Sequence, residues 1–309
     1  MVSGTHAYVE DTRNDSVLIY LNGELVERSQ AKVSVFDSGF LLGDGVWEGL
    51  RVYGGRVAFL KEHLDRLFEG AKAIDMDIGM SRDELTQALY QTLEANQMTD
   101  DVHVRLMVTR GLKVTPFQGT SANVGRATVV IAAEWKQANT SKQGMKLFTV
   151  HVRRGRPDVQ DPMWNSHSKL NCISACIQAQ KAGADEGLML DPHGFVATCN
   201  STHFFIVRDG ALWTSSGRYC LHGITRAKVM EVARANGMEV YEKDFSLTQV
   251  YSADEAFCTG TFAGLIPVKE VDGRSIGDGN GEAGPITQKL QSYYRALIES
   301  DCANQESKA

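Results

Sequence analysis

One lysine lies at an unusual place in the sequence. Lys169 ends the extended segment 162–168 and directly precedes residues 172–182, whose alternating small and apolar side chains are typical of a packed helix. We therefore expect Lys169 to be partly buried. Burial lowers the pKa of a lysine because it disfavours the ammonium form, and the neutral amine attacks carbonyls to make Schiff bases. Lys169 is thus a candidate for holding pyridoxal phosphate, although most lysines are surface charges.

Three other stretches carry groups suited to a phosphate. Arg66 lies in the first turns of a predicted helix, where an arginine binds anions well, although a surface ion pair is its commoner role. A second helix begins near Ile224 and Thr225, whose backbone N–H groups have no partner within that helix. Gly260 and Thr261 follow a predicted strand and add N–H groups and a hydroxyl. An ordinary helix start is the alternative interpretation of Ile224 and Thr225.

The overall composition is that of a soluble globular protein and favours a function with small molecules. Its 309 residues suit one large or two ordinary domains, and 43% hydrophobic with 23% charged residues is typical of soluble proteins. A net charge of −6 gives no support for nucleic-acid or anionic-membrane binding, both of which need a clustered basic face. We expect two domains and small-molecule substrates.

Targeting and cysteine patterns point to the cytoplasm. No apolar run approaches the roughly 20 residues that span a bilayer, and residues 1–20 lack the apolar core of a signal peptide. The six cysteines include no Cys-x-x-Cys pair and lie mostly among small or apolar residues. We therefore expect reduced thiols, with neither a disulfide nor a zinc site.

The first half of the chain predicts a small α/β domain over residues 1–135. Its helices are expected at 60–74 and at 81–96, where Ser81 and Glu84 form a capping-box pattern. Strands are expected at 17–22, 25–26, 50–53, 102–109 and 127–135. The glycine-rich segment 37–49 predicts an irregular turn, and the polar segment 111–126 is long enough to be a lid.

Residues 136–144 have the composition of a linker, so the second domain is expected at 145–309. Its strands are predicted at 146–152, 187–190, 195–198, 204–207, 211–214 and 253–258, and its helices at 172–182, 224–235 and 285–299. The tail from Asp301 is expected to be disordered.

The order of these features resembles the class IV, or fold type IV, pyridoxal-phosphate enzymes, which include branched-chain and D-amino-acid aminotransferases and aminodeoxychorismate lyase. The resemblance covers roughly residues 17–297. Its specific parts are Gly43-Asp44-Gly45-Val46-Trp47-Glu48, Glu62-His63-Leu64-Asp65-Arg66-Leu67, Lys169-Leu170-Asn171, His222-Gly223-Ile224-Thr225-Arg226 and Thr259-Gly260-Thr261. It implies a small N-terminal α/β domain and a larger C-terminal domain with a barrel-like sheet. It also implies a homodimer in which a partner loop closes each active site.

The resemblance also assigns roles to residues. Lys169 would make the Schiff base and move the proton between substrate Cα and cofactor C4′. Arg66, the N–H groups of Ile224 and Thr225, and the Gly260–Thr261 turn would hold the phosphate. Trp47, His103 and Arg105 would contact the substrate, with Arg105 on a carboxylate.

Several departures from the family pattern concern the substrate-binding residues and the position of the Schiff-base lysine. The arginine and histidine with which D-amino-acid aminotransferases bind a carboxylate are replaced by 115–117, Thr-Pro-Phe. The Tyr-x-Arg of branched-chain enzymes is His103-Val104-Arg105. The helix after Lys169 is about one turn short and lacks the tyrosine expected near the cofactor's O3′. Counted back from Gly183, the family's lysine falls near Asn165, which would make Lys169 a lysine displaced by a turn.

Thr198 aligns with the family's glutamate opposite the pyridine nitrogen N1. A hydroxyl is neutral, so the proton affinity of N1 should be lower than it is beside a carboxylate. The exception would be that Glu48 or a bound water takes the place of the family's glutamate. We therefore predict slow removal of the proton from substrate Cα. The alternative is that Thr198 only stabilises a turn.

The main hypothesis is a pyridoxal-phosphate-dependent aminotransferase of the branched-chain type, with 2-oxoglutarate or another 2-keto acid as acceptor. The alternatives are a D-amino-acid or (R)-amine transaminase, an aminodeoxychorismate lyase-like enzyme, and a protein that binds the cofactor without turnover.

Overall fold

A computed structural model describes residues 8–138 and 144–306. These residues form two compact units. The smaller unit contains residues 9–137, 164–169 and 301–306, and the larger unit contains residues 8, 138, 144–163 and 170–300. Residues 139–143 of the expected linker lie outside the described residues, and the division into two sequential domains stays a prediction.

The smaller unit is built on an antiparallel sheet. Its strands are β1 Leu18–Leu21, β2 Glu24–Glu27, β3 Gly45–Tyr53, β4 Arg56–Val57, β5 Val102–Thr109, β6 Leu112–Lys113, β7 Asn123–Val124 and β8 Thr128–Trp135. Six of them form one sheet in the order β2-β1-β8-β5-β3-β4, while β6 and β7 pair with each other. The hairpin β6–β7 therefore lies within the segment that the sequence suggested as a lid.

Three helices accompany this sheet: α1 Ser38–Leu42, α2 Leu60–Ala73 and α3 Arg82–Ala95. Helix α2 buries Leu64, Leu67 and Ala71, which follow helical spacing. Helix α3 begins at the predicted capping box, in which Ser81 and Glu84 each accept a backbone N–H of the other. Both helices confirm the sequence prediction.

The glycine-rich segment is more regular than expected. It contains α1 and the first half of β3, where an irregular turn was predicted. Asp37 explains the difference, because its buried carboxylate accepts the Gly39 N–H over 2.8 Å and the hydroxyls of Thr109 and Thr128 over 2.9 and 2.8 Å. Gly43 then ends the helix in a left-handed conformation, with φ of 70°. Two of these partners are far away in the sequence, which local patterns cannot reveal.

The larger unit contains a mixed sheet. Its strands are β9 Met145–Thr149, β10 Glu186–Leu190, β11 Val196–Cys199, β12 His203–Arg208, β13 Ala211–Thr214, β14 Val240–Glu242, β15 Glu255–Gly260, β16 Gly264–Val271 and β17 Arg274–Ser275. They follow the order β11-β10-β9-β16-β15-β12-β13-β14, with β17 on β16. This sheet curls into a half-barrel, which confirms the mixed α/β class and the barrel-like sheet.

The remaining helices are α4 Leu170–Lys181, α5 Ile224–Ala235, α6 Leu247–Tyr251 and α7 Pro285–Glu306. The prediction of a disordered tail from Asp301 is wrong for residues 301–306, because α7 continues through them. Asp301 accepts the backbone N–H of Phe59 over 2.7 Å, a contact that holds this last turn in place. Among the described residues, no helix is both long and apolar enough to cross a membrane.

Candidate functional site

The segment before Lys169 is held by the start of β3. Trp47 N donates to Asn165 O over 2.9 Å, and His167 N donates to Gly45 O over 3.0 Å. Trp47 Nε1 adds a bond of 3.0 Å to Ser166 O. Residues 165–167 thus extend the sheet of the smaller unit locally, which fixes the backbone that leads to Lys169.

Lys169 is half-buried, as expected from the sequence. Its Nζ atom donates to Asn165 Oδ1 over 3.2 Å and lies 5.3 Å from the centroid of the Trp47 ring. Asn165 is buried, and its Nδ2 donates to Trp47 O over 2.6 Å. The amine is therefore held beside an aromatic face by a fixed carboxamide.

Arg105 lies on the face of β5 that points away from the apolar core. Its neighbours Val104 and Leu106 are completely buried, so strand alternation places His103 and Arg105 together on the opposite face. The Arg105 guanidinium stacks 3.2 Å from the centroid of Trp47. A Cβ added at Gly49 would lie 3.3 Å from His103 Cε1 and 3.5 Å from Trp47 Cζ3. Trp47, His103 and Arg105, predicted to bind substrate, are thus brought together.

The charge of Arg105 is not neutralised by a contacting carboxylate. Within residues 8–138 and 144–306 its guanidinium has no hydrogen bond or ion pair. Burial lowers the pKa of Arg105 to about 10, opposed by the more distant Glu48 carboxylate. Arg105 remains a cation at neutral pH, and its guanidinium suits a substrate carboxylate.

His167 joins this group of side chains, although the sequence analysis did not select it. Burial lowers the pKa of His167 to about 4, with further lowering by Arg105 and Lys169. The imidazole is therefore neutral at physiological pH. Its Nε2 atom is buried and has no hydrogen-bond partner among the described residues. Arg105 comes near His167 only in the folded chain, so no local sequence pattern could have indicated that His167 belongs to this group.

Arg66 is engaged with Glu48 in the same unit. Arg66 Nε donates to Glu48 Oε1 over 2.8 Å and Nη2 to Oε2 over 2.6 Å, while His63 Nδ1 lies 2.7 Å from Oε2. Burial alone would raise the pKa of Glu48, but the Arg66 charge and the bonds from Arg66 and His63 outweigh it and lower that pKa to about 2. Glu48 thus fixes the Arg66 side chain, and a phosphate role for Arg66 stays a prediction.

Predicted cofactor residues of the larger unit lie near His203. His203 pairs with Thr259 across β12 and β15, and a Cβ at Gly223 would collide with its imidazole. Gly223 immediately precedes α5, whose first turn contains Ile224 and Thr225, both buried. Glycine is therefore needed at Gly223 for this helix start to pack against His203.

The end of β15 carries a buried hydroxyl without a bond. Thr259 is completely buried, and its Oγ1 has no hydrogen-bond partner among the described residues. Leaving such a group unpaired costs about 1–3 kcal/mol, so its presence is consistent with a ligand that supplies the partner. Gly260 and Thr261 follow directly and are half-buried. This part of the unit is compatible with an anion such as a phosphate.

Thr198 is buried in β11, and its hydroxyl is already used. Oγ1 donates to Thr202 O over 2.7 Å, across the turn between β11 and β12, and lies 3.5 Å from His203 Nδ1. Thr202 Oγ1 in turn donates to the buried Glu186 Oε2 over 2.8 Å. Thr198 thus stabilises the turn between β11 and β12, as the alternative interpretation of the sequence stated. Thr198 still has oxygen lone pairs, so toward a further group it can act as an acceptor.

The comparison with known proteins defines the family. Residues 45–271 match the family model described as amino-transferase class IV. The chain belongs to the class IV aminotransferase family. The matched range contains Lys169, Trp47, His103, Arg105 and Thr198.

Individual relatives agree with this. The chain is 41% identical over 287 residues to a branched-chain-amino-acid aminotransferase-like protein 1 of Arabidopsis thaliana, covering 93% of this chain and 51% of that protein. It thus spans about half the length of that relative. It is 42% identical to a putative branched-chain-amino-acid aminotransferase of Methanocaldococcus jannaschii, covering 90% of this chain and 96% of that protein. The crystal structure of a branched-chain aminotransferase from Thermoproteus uzoniensis with norvaline has a TM-score of 0.83 at 33% identity, covering 92% of this chain and 95% of that chain.

Proposed function

We propose that this chain is a pyridoxal-phosphate-dependent aminotransferase of the branched-chain type, which moves an amino group between an amino acid and a 2-keto acid. The observation that carries the proposal is the Lys169 amine, held by Asn165 beside the Trp47 ring in a chain of the class IV family. Family membership supports the cofactor, and the buried hydroxyl of Thr259 supports an anion in the larger unit.

Lys169 is proposed as the catalytic residue. Its Nζ atom holds the cofactor covalently between turnovers and moves a proton at the substrate Cα. When bound, the cofactor supplies an electron-withdrawing ring that stabilises the negative charge left at Cα. The neighbouring His167 is neutral and Arg105 is positive, so neither adds an anion that would hold Lys169 as an ammonium ion.

Five residues are proposed to bind the cofactor phosphate. The N–H groups of Ile224 and Thr225 open α5, where the helix dipole favours an anion. Gly260 and Thr261 add an N–H group and a hydroxyl, and Arg66 adds a guanidinium held by Glu48. These assignments rest on the family resemblance together with the local geometry of each unit.

Arg105 is proposed to recognise a substrate carboxylate. Its planar guanidinium is stacked on Trp47, so it is oriented before the substrate binds. Trp47 and His103 border the same face and contribute apolar and aromatic surface for a branched side chain. The amino donor is thus proposed to be a branched-chain amino acid, and the acceptor 2-oxoglutarate or a related keto acid.

A homodimer is proposed as the working assembly. Two adjoining segments of the smaller unit, 33–42 and 112–124, are joined by bonds from Ser38 N to Gly111 O and from Lys113 N to Phe36 O. Their exposed large apolar side chains are Val33, Val35, Phe36, Phe40, Leu42, Leu112, Val114, Phe117 and Val124. An exposed apolar surface of this kind usually packs against a partner protein. The family resemblance implies that this partner is a second copy of the chain.

A cytoplasmic location is proposed from the cysteines. Cys172, Cys176, Cys199, Cys220 and Cys258 are free thiols, and the sulfurs of Cys199 and Cys258 lie 3.7 Å apart, in hydrogen-bond contact and without a disulfide. Free thiols are typical of reducing compartments.

The experiment for the proposed activity is an absorbance titration of the purified protein with cofactor. Addition of L-leucine should replace the visible band of the bound cofactor by the near-ultraviolet band of its amine form, and 2-oxoglutarate should restore the first band. Bands that form but interconvert with no amino donor would contradict transamination and favour binding without turnover. Conversion by D-amino acids or (R)-amines, with no response to L-leucine, would contradict the branched-chain type.

A further inference from the structure

Asn165 is a buried residue that contacts Lys169. It is 5% exposed. Its backbone O accepts the Trp47 N–H over 2.9 Å, and its Nδ2 donates to Trp47 O over 2.6 Å. Because a backbone carbonyl can only accept, the NH₂ group of the carboxamide must face Trp47. The carboxamide therefore has one orientation, in which Oδ1 faces Lys169.

Asn165 Oδ1 accepts a hydrogen bond from Lys169 Nζ over 3.2 Å. This acceptor works with either protonation state of the lysine, because an ammonium group and a neutral amine both carry hydrogens. A carboxylate in the same place would hold the lysine as an ammonium ion through its charge. An asparagine can thus fix the position of the nitrogen without a formal charge that favours the unreactive form.

We propose that Asn165 is a positioning residue that fixes the Lys169 amine for attack on the cofactor aldehyde while leaving it able to lose its proton. This inference rests on the proposed function of Lys169. The charged or titratable groups around this pair include Arg105, which shares the Trp47 ring, and the neutral His167. They also include Glu48, which is bonded to Arg66, and the Asp37 carboxylate, which acts electrostatically on His167. Asn165 supplies the neutral acceptor in this cationic surrounding.

Two matched variants isolate the contact: Asn165→Asp and Asn165→Leu. Both lose the bond from Nδ2 to Trp47 O, so the loss of that bond is common to the two variants. Only the aspartate keeps an acceptor for Lys169, and it adds a negative charge. The reactivity of Lys169 in the cofactor-free full chain can be followed by competitive acetylation with acetic anhydride across pH, with the exposed Lys289 as internal reference.

The acetylation midpoint of Lys169 is expected to lie about one pH unit or more higher in Asn165→Asp than in Asn165→Leu, because an adjacent carboxylate stabilises the ammonium form. The midpoint of Lys289 should be the same in both. Equal Lys169 midpoints in the two variants would overturn the proposal.

A measurement on the unaltered chain applies even if both variants fail to fold. The ¹³C signal of the Asn165 carboxamide should shift with pH at the midpoint found for Lys169 and should lose that response in Lys169→Met. A signal that stays constant through the midpoint would overturn the proposal. Because both readouts use cofactor-free protein, a failure of the cofactor to react with Lys169 would refute the proposed function while leaving this coupling measurable.

Discussion

Replacement of Arg105 by leucine should separate recognition of the substrate carboxylate from stability of the fold. The guanidinium has no hydrogen bond or ion pair among the described residues, so its bonds are available to a substrate. A hydrogen bond to a charged group contributes about 1.5–3 kcal/mol. For a half-buried arginine we expect Arg105→Leu to lose about 2–3 kcal/mol of binding free energy, which is roughly a 30- to 150-fold weaker affinity for 2-oxoglutarate.

The same variant should hardly change the melting temperature. A fall in the pKa of Arg105 from 12.5 to about 10 corresponds to about 3 kcal/mol of unfavourable burial, reduced to about 1–2 kcal/mol because solvent still reaches the group. The stack on Trp47 offsets about 0.5–2 kcal/mol of that cost. Arg105→Leu removes both the burial cost and the stack, so the net change in the free energy of unfolding is near zero.

The assay compares KM for 2-oxoglutarate with KM for a simple amine donor that has no carboxylate, together with a thermal melt. Arg110→Leu is the matched control, because Arg110 follows β5 but binds Asp44 over 2.7 Å and Ile74 O over 2.7 Å. That variant should melt earlier and change both KM values by similar factors. If Arg105→Leu raises the two KM values equally, or melts much earlier, Arg105 is a structural residue and the reasoning is refuted.

Three further predictions concern buried groups. Glu48→Gln should lower the free energy of unfolding by about 3–5 kcal/mol, because it removes the buried carboxylate that binds the half-buried Arg66 guanidinium. In the unaltered chain the contribution of Glu48 is complete above pH 4.5 and is lost as the pH falls toward about 2, which acid unfolding followed by circular dichroism would reveal. His167→Phe should remove the stability loss that occurs between pH 6.5 and about 4, where the unfolded chain takes up a proton that the folded chain excludes; urea unfolding across that range tests it, and an unchanged profile would contradict it. Because Thr198 is neutral, cleavage of the substrate Cα–H bond should limit the rate, so deuterium at Cα should slow kcat measurably; equal rates for the two isotopes would argue against this.

Elements with short-range determinants were predictable from the sequence. Helix α3 is specified by its capping box, and β5 by strict alternation that also places Arg105 away from the core. Lys169 could be chosen because extended and helical patterns meet at it. These features depend on residues within a few positions of each other.

Features with long-range determinants were not predictable. Helix α1 depends on Asp37 bonding to Thr109 and Thr128, and the last turn of α7 depends on Asp301 bonding to Phe59 N. The contacts of Asn165 with Trp47 join residues more than a hundred positions apart. Family resemblance predicted that Thr198 lies opposite the ring nitrogen, but it could not show that the Thr198 hydroxyl already donates to Thr202 O.

Borohydride reduction followed by peptide mass mapping tests the central claim most directly. If Lys169 holds the cofactor, reduction of the native protein incubated with pyridoxal phosphate should leave the cofactor mass on the peptide that contains Lys169. Lys169→Ala, with its fold verified by circular dichroism, should retain none. Cofactor trapped on another lysine, or trapped equally in Lys169→Ala, would contradict the claim.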